Sequence, residues 1–189
     1  MMKNSIKILL RPLNYMKISH ENKFIIDIII PLFISMMTCF ILYEMSFSHI
    51  IGDGKIIDKI SSLLGILIGF FIASLAAVST FDRPEMDHYM KGTPPTLNKK
   101  PLTSRQFLCY LFGYLSFITI ITILTSDLIN VFSGALIIIT KNNSLLAFVI
   151  FMPYFFVVTN ILMTLFLGLS FLTDDIHKRE NTIINKVLK

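Results

Sequence analysis

A chain of 189 residues that is 54% hydrophobic and 15% charged, with a mean hydropathy of +0.71, is too apolar for a soluble domain, where charge runs near about 25%. Its net charge of +5 invites a nucleic-acid reading, but the basic residues are sorted by membrane side, as set out below. That sorting explains the charge better than direct nucleic-acid binding does, and none is expected. The fold class expected is all-α: an integral membrane protein of four transmembrane helices with both termini in the cytoplasm.

Residues 2–19 mix Lys3, Lys7, Arg11 and Lys17 with Ile6, Ile8, Leu9 and Leu10. The pattern fits a short basic amphipathic helix on an anionic leaflet, interrupted at Pro12, or a basic tail that fixes orientation. The first 23 residues lack an unbroken apolar core followed by a small-residue cleavage site, so the first span is expected to be retained. That span, residues 24–43, contains Asp27 and Pro31. Asp27 lies one turn inside the boundary and can meet headgroups or pair with Lys23 at i−4. An intramembrane acid also raises proton or ion handling. Pro31 is expected to kink the helix. The loop that follows, Glu44–Lys59, carries a Gly52-Asp53-Gly54 turn signal.

The second span, residues 60–81, is uncharged, and Ser61, Gly65, Gly69, Ala73 and Ala77 recur in it every fourth position. Small side chains at that spacing form a stripe along which another helix backbone can approach closely. The stripe serves packing within one subunit, a homo-oligomer interface, or both. It runs directly into the loop 82–106, which opens DRPEMDHYMKGTPP. Asp82 with Glu85, and Pro84 in the first turn, reads as a helix restart. Met86, Tyr89 and Met90 would share its apolar face, and Asp87 would pair with Lys91. The helix either rests on the inner leaflet or is a docking surface for a cytosolic protein, with Arg83, Glu85, Asp87, His88, Tyr89 and Lys91 arranged around Met86 and Met90. Mixed charge favours a protein partner, since phosphate-binding surfaces are dominated by Lys and Arg.

Thr103 and Gln106 make a capping-box pattern that opens the third span, residues 107–126. The stretch 128–140 is too short to cross alone and reads as an outer-face interfacial or re-entrant segment. The fourth span, residues 145–173, is long enough that it must tilt, kink at Pro153 or project from one face. Asn160 near its middle can bond across to another helix. The tail from Asp174 is short and charged.

Lys and Arg number five before the first span, two in the first loop, five in the middle loop, one in the third loop and four after the last span. The alternate sides therefore hold 14 and three, which places both termini and the middle loop inside. Catalytic chemistry finds no support. His20, His49, His88 and His177 are scattered and no HExxH or CxxC occurs, so no metal site or cofactor is expected. Glu85, Asp87 and His88 do not converge on one helix face. Nucleotide-binding loops and a GxSxG elbow are absent from the sequence. Cys39 and Cys109 read as small buried hydrophobes. Ser35, Thr38, Thr119, Thr122 and Asn160 could line a pore made by several copies, which keeps a small pore-forming or permeability-altering protein as the alternative. Hydroxyls in membrane helices more often bond their own backbone.

With this topology, and on the blocks GILIGFFIASLAAVSTFDRPEMDHYMKG and LTSRQFLCYLFGYLSF, the chain resembles the membrane subunit of the Kiwa anti-phage defence systems of bacteria. The resemblance implies an oligomer of the bacterial inner membrane that senses phage attack at the envelope. It would recruit a cytosolic, nucleic-acid-binding partner that suppresses phage DNA replication or expression. The function expected is that of a sensor or anchor subunit, and not of an enzyme.

Overall fold

Pro31 decides how the first span begins. A proline carries no N–H, so in a regular helix the carbonyl of Asp27, four residues earlier, loses its donor. In the computed structural model the chain meets this with a π-helical turn over Ile25–Ile29, which leads into α1 (Ile30–Met45). That carbonyl receives a side chain from the last span, with Asn160 Nδ2 donating to Asp27 O at 2.7 Å. The structure describes residues 8, 10–21, 23–45, 50–52, 54–80, 82, 84–89 and 93–187, without the side chains of 45, 85, 141, 142, 144 and 174–187.

Three further apolar helices follow: α2 (Ile56–Thr80), α3 (Ser104–Val131) and α5 (Ser144–Val187), with the short α4 (Ser133–Asn142) between the last two. The four candidate spans, Ile25–Glu44, Ile56–Thr80, Ser104–Val131 and Leu145–Thr173, are each long and apolar enough to cross a bilayer. The expected capping box is present, with Thr103 accepting from the Gln106 amide while the Gln106 side chain accepts from Thr103. The turn around Gly52–Gly54 also forms, with both glycines at positive φ. The 128–140 segment begins later than its composition suggests. Residues 128–131 continue α3, and the break falls at Phe132. Continuing the helix keeps those four residues' backbone groups bonded, which a re-entrant turn would not.

The helices pack in the order α1, α5, α3, α2, each mainly on the next. Within lipid no hydrophobic effect drives this contact, so close packing must. One close approach is at Gly168 of α5, where a Cβ would lie 2.8 Å from Leu111 Cδ2 of α3. One core cluster joins Leu64, Phe71 and Val78 of α2 to Leu108, Leu111, Phe112 and Leu115 of α3 and to Ile161 and Leu165 of α5. A second, toward the opposite end, joins Cys39 and Leu42 to Ala147, Phe151 and Phe155.

One end of the bundle carries a small β-structure that the composition did not announce. A 3-10 helix, Arg11–Lys17, leads into β1 (Ile18–Ser19), which pairs antiparallel with β2 (Thr96–Leu97), and β2 with β3 (Lys100–Pro101). Asn98 and Lys99 join β2 to β3 at φ of 51° and 66°, the left-handed pair that a two-residue hairpin needs. The first 20 residues therefore do not lie apart on a leaflet where they are described. They are stitched to the middle loop.

Candidate functional site

Three arrangements at and beside this end could carry function: a buried latch, a folded loop and an open helix face. The latch is Tyr15, 1% exposed. Its ring stacks on Tyr114 of α3 at 4.9 Å, and its hydroxyl donates to Asp27 Oδ1 at 3.3 Å. Lys23 pairs with Asp27, as the i−4 spacing suggested, and its ammonium also sits 4.4 Å from the centre of the Tyr15 ring. Burial, and then the Asp27 carboxylate, push the Tyr15 hydroxyl well above its ordinary pKa, so it holds its proton and remains a donor. Tyr114 donates to Asn160 Oδ1 at 2.8 Å, and Asn160 passes the network on to the Asp27 carbonyl. Asp27 thus meets residues of its own chain on several sides, an arrangement that fixes the N-terminal strap.

The loop is organised by Arg105 in the first turn of α3. Its Nε donates to Asp87 Oδ1 at 2.7 Å and one terminal nitrogen to Asp87 Oδ2 at 3.2 Å, a bidentate pair. The other terminal nitrogen donates to Val78 O at 3.0 Å. Val78 lies in the last turn of α2, where carbonyls have no partner within the helix. One guanidinium therefore caps one span, opens the next and anchors the loop between them.

The loop differs from the expected amphipathic helix. Pro84–Asp87 make a single 3-10 turn, after which Tyr89 bridges to Thr103 and the chain turns into the hairpin. Met86 is buried while Tyr89 is 62% exposed, so the two do not share a face and Met86 belongs to the core. Asp87 pairs with Arg105 because a bidentate partner outcompetes one at i+4 on a helix that does not form. Asp87, His88 and Tyr89 face outward. Arg83, Met90 and Lys91, and the Glu85 side chain, lie outside the described residues.

The open face belongs to α2. Its span is 17% buried, against 44% for the third and fourth spans, because it packs chiefly on α3. The residues it buries are Ile57, Ser61, Leu64, Phe71 and Val78. Their steps of four, three and seven stay nearly in line on the helix, whereas every step of four advances about 40°. The small-residue stripe therefore leaves the buried face after Ser61. Gly65, Gly69 and Ala73 are exposed, and Ala77 is half-buried. A Cβ at Gly65 or Gly69 would meet no described atom within 4 Å. Gly65, Gly69 and Ala73 are therefore not what packs this subunit together. Among the described glycines with a neighbour, the close approach between helices falls instead at Gly168, against Leu111.

The hydroxyls weighed as pore-lining mostly turn onto their own helices: Ser35 to Leu32 O, Thr38 to Ile34 O and Thr122 to Ile118 O. Thr119 is buried with no hydrogen bond among the described residues. Cys39 and Cys109 are free thiols. No group of three or more His, Cys, Asp or Glu among the described residues is placed to hold a metal. Sequence reading also missed Tyr15, Tyr114 and Arg105. The only prior signal for them was the unmatched carbonyl that Pro31 creates and the unpaired end of α2.

No protein-family model, curated protein or solved structure matches the chain.

Proposed function

We propose that this protein is an oligomeric sensor or anchor subunit of the bacterial inner membrane that recruits a cytosolic effector, in anti-phage defence as its resemblance to the Kiwa membrane subunit implies. The observation that carries the reading is the outward-facing Gly65–Gly69–Ala73 face on the peripheral second span. There a neighbouring copy's backbone can approach closely. The end bearing the sheet faces the cytoplasm in this reading, because 14 of the 17 Lys and Arg residues flank it. A partner protein meets Asp87, His88 and Tyr89, held outward by the Arg105 anchor.

The test is a pair of variants in the full chain. Gly65→Leu/Gly69→Leu lowers the native mass in mild detergent while leaving resistance to unfolding unchanged. Tyr89→Ala lowers recovery of the co-purifying cytosolic protein without changing the mass. An unchanged mass in the glycine variant refutes the interface. Full recovery with Tyr89→Ala refutes the docking surface, and dye leakage on expressing the chain alone favours the pore instead.

A further inference from the structure

A groove of about 390 Å³ runs between the 3-10 helix Arg11–Lys17 and the first turns of α3, and of the residues that line it only Arg105 belongs to a feature described above. Arg11, Pro12, Arg105 and Gln106 line it at the first turn of α3, taken as its mouth, and Cys109, Tyr110 and Gly113 line it over the next two turns, taken as its floor. From Arg105 to Gly113 the helix rises roughly 12 Å. The groove thus begins at the level where the apolar helix starts and runs along a side of α3 on which Cys109, Tyr110 and Gly113 stay half-buried. No described atom lies within 4 Å of where a Gly113 Cβ would stand, which leaves the inner end open.

The two ends differ in chemistry. Arg11 is exposed and makes no ion pair among the described residues. Arg105 is engaged by Asp87, so its charge is partly offset, and Arg11 supplies the larger uncompensated field. The positive end of α3 lies beside both. The floor is an aromatic ring, a thiol and a glycine. A soluble anion would satisfy the mouth and leave the floor uncovered. An uncharged chain would do the reverse.

We propose that the groove holds an anionic phospholipid, with its phosphate against Arg11 and an acyl chain along Tyr110 and Gly113. It would fasten the N-terminal strap to α3 from the lipid side, opposite the Tyr15 latch.

The full chain, purified in mild detergent and exchanged into nanodiscs of phosphatidylglycerol or phosphatidylcholine with identical acyl chains, tests this by native mass spectrometry of retained lipid. The wild type retains phosphatidylglycerol in preference to phosphatidylcholine. Arg11→Gln weakens that retention about fivefold, the worth of one arginine near an anionic lipid surface, and Arg11→Lys largely preserves it. Gly113→Leu, which fills open space, lowers retention of both lipids without changing the unfolding curve. Wild-type retention by Arg11→Gln overturns the proposal. Equal retention of the two lipids also does so, leaving an apolar trough without headgroup choice. Displacement by millimolar inorganic phosphate that is indifferent to Gly113→Leu overturns it in favour of a soluble-anion site.

Discussion

Replacing Asn160 with leucine, which keeps the branched heavy-atom skeleton at somewhat larger volume and removes both polar atoms, tests the account of how the first span is held. Two hydrogen bonds disappear, Asn160 Nδ2 to Asp27 O at 2.7 Å and Tyr114 Oη to Asn160 Oδ1 at 2.8 Å. Interhelical hydrogen bonds in membrane bundles average about 0.6 kcal/mol and reach about 1.7, so the pair is worth about 1 to 3 kcal/mol. The Tyr114 hydroxyl can rotate toward another acceptor. The Asp27 carbonyl cannot, because the residue four positions on is Pro31, and the larger share of the loss falls there. Restoring an N–H at that position by Pro31→Ala should therefore recover about 1 kcal/mol in the Asn160→Leu background and much less in the wild type. Unfolding by SDS in mixed micelles, followed by far-UV circular dichroism since the chain has no tryptophan, gives all four corners of the cycle. If Pro31→Ala shifts both backgrounds equally, the two residues are independent, and the substitution of a side-chain donor for the missing amide is wrong.

The two kinds of glycine should separate in the same assay. Gly168→Leu drives a side chain into Leu111 and should cost about 1 to 3 kcal/mol by overpacking, whereas Gly69→Leu should leave the monomer within about 0.5 kcal/mol of wild type; equal effects would contradict the packing described. The Tyr15 latch should open in alkali. Its pKa is raised in the folded chain, so its contribution is complete below the ordinary tyrosine value of 10.0 and declines as pH rises beyond it. Proteolysis of the N-terminal strap should accelerate above that pH in the wild type, and Tyr15→Phe should flatten the dependence; an unchanged profile in Tyr15→Phe would assign it to another group.

The sequence displays the spans because lipid imposes an unbroken apolar length that few soluble segments imitate. The Lys23–Asp27 pair and the Thr103–Gln106 box are equally legible, being contacts within one turn. What it conceals is pairing across long separations. Asp87 looked matched to Lys91 by helical spacing, and only the fold brings Arg105, 18 positions later, into bidentate reach. The β1–β2 pairing is hidden for the same reason, since two-residue strands have no periodicity to read. The glycine–alanine stripe was visible but its direction was not. A repeat of four and a packing face near 3.5 share Ser61 and then diverge, which composition alone does not resolve.

The three-stranded sheet has a consequence for how the chain is made. Ile18 bonds across to Leu97, so the first strand leaves the ribosome long before its mate exists. By the time that mate is available, two helices must already have entered the bilayer and returned the polypeptide to its starting side. A nascent chain whose second helix inserted backwards would hold the two strands on opposite faces of the lipid, beyond any zippering. Closure of this staple is thus a physical check on the correct threading of the first two spans.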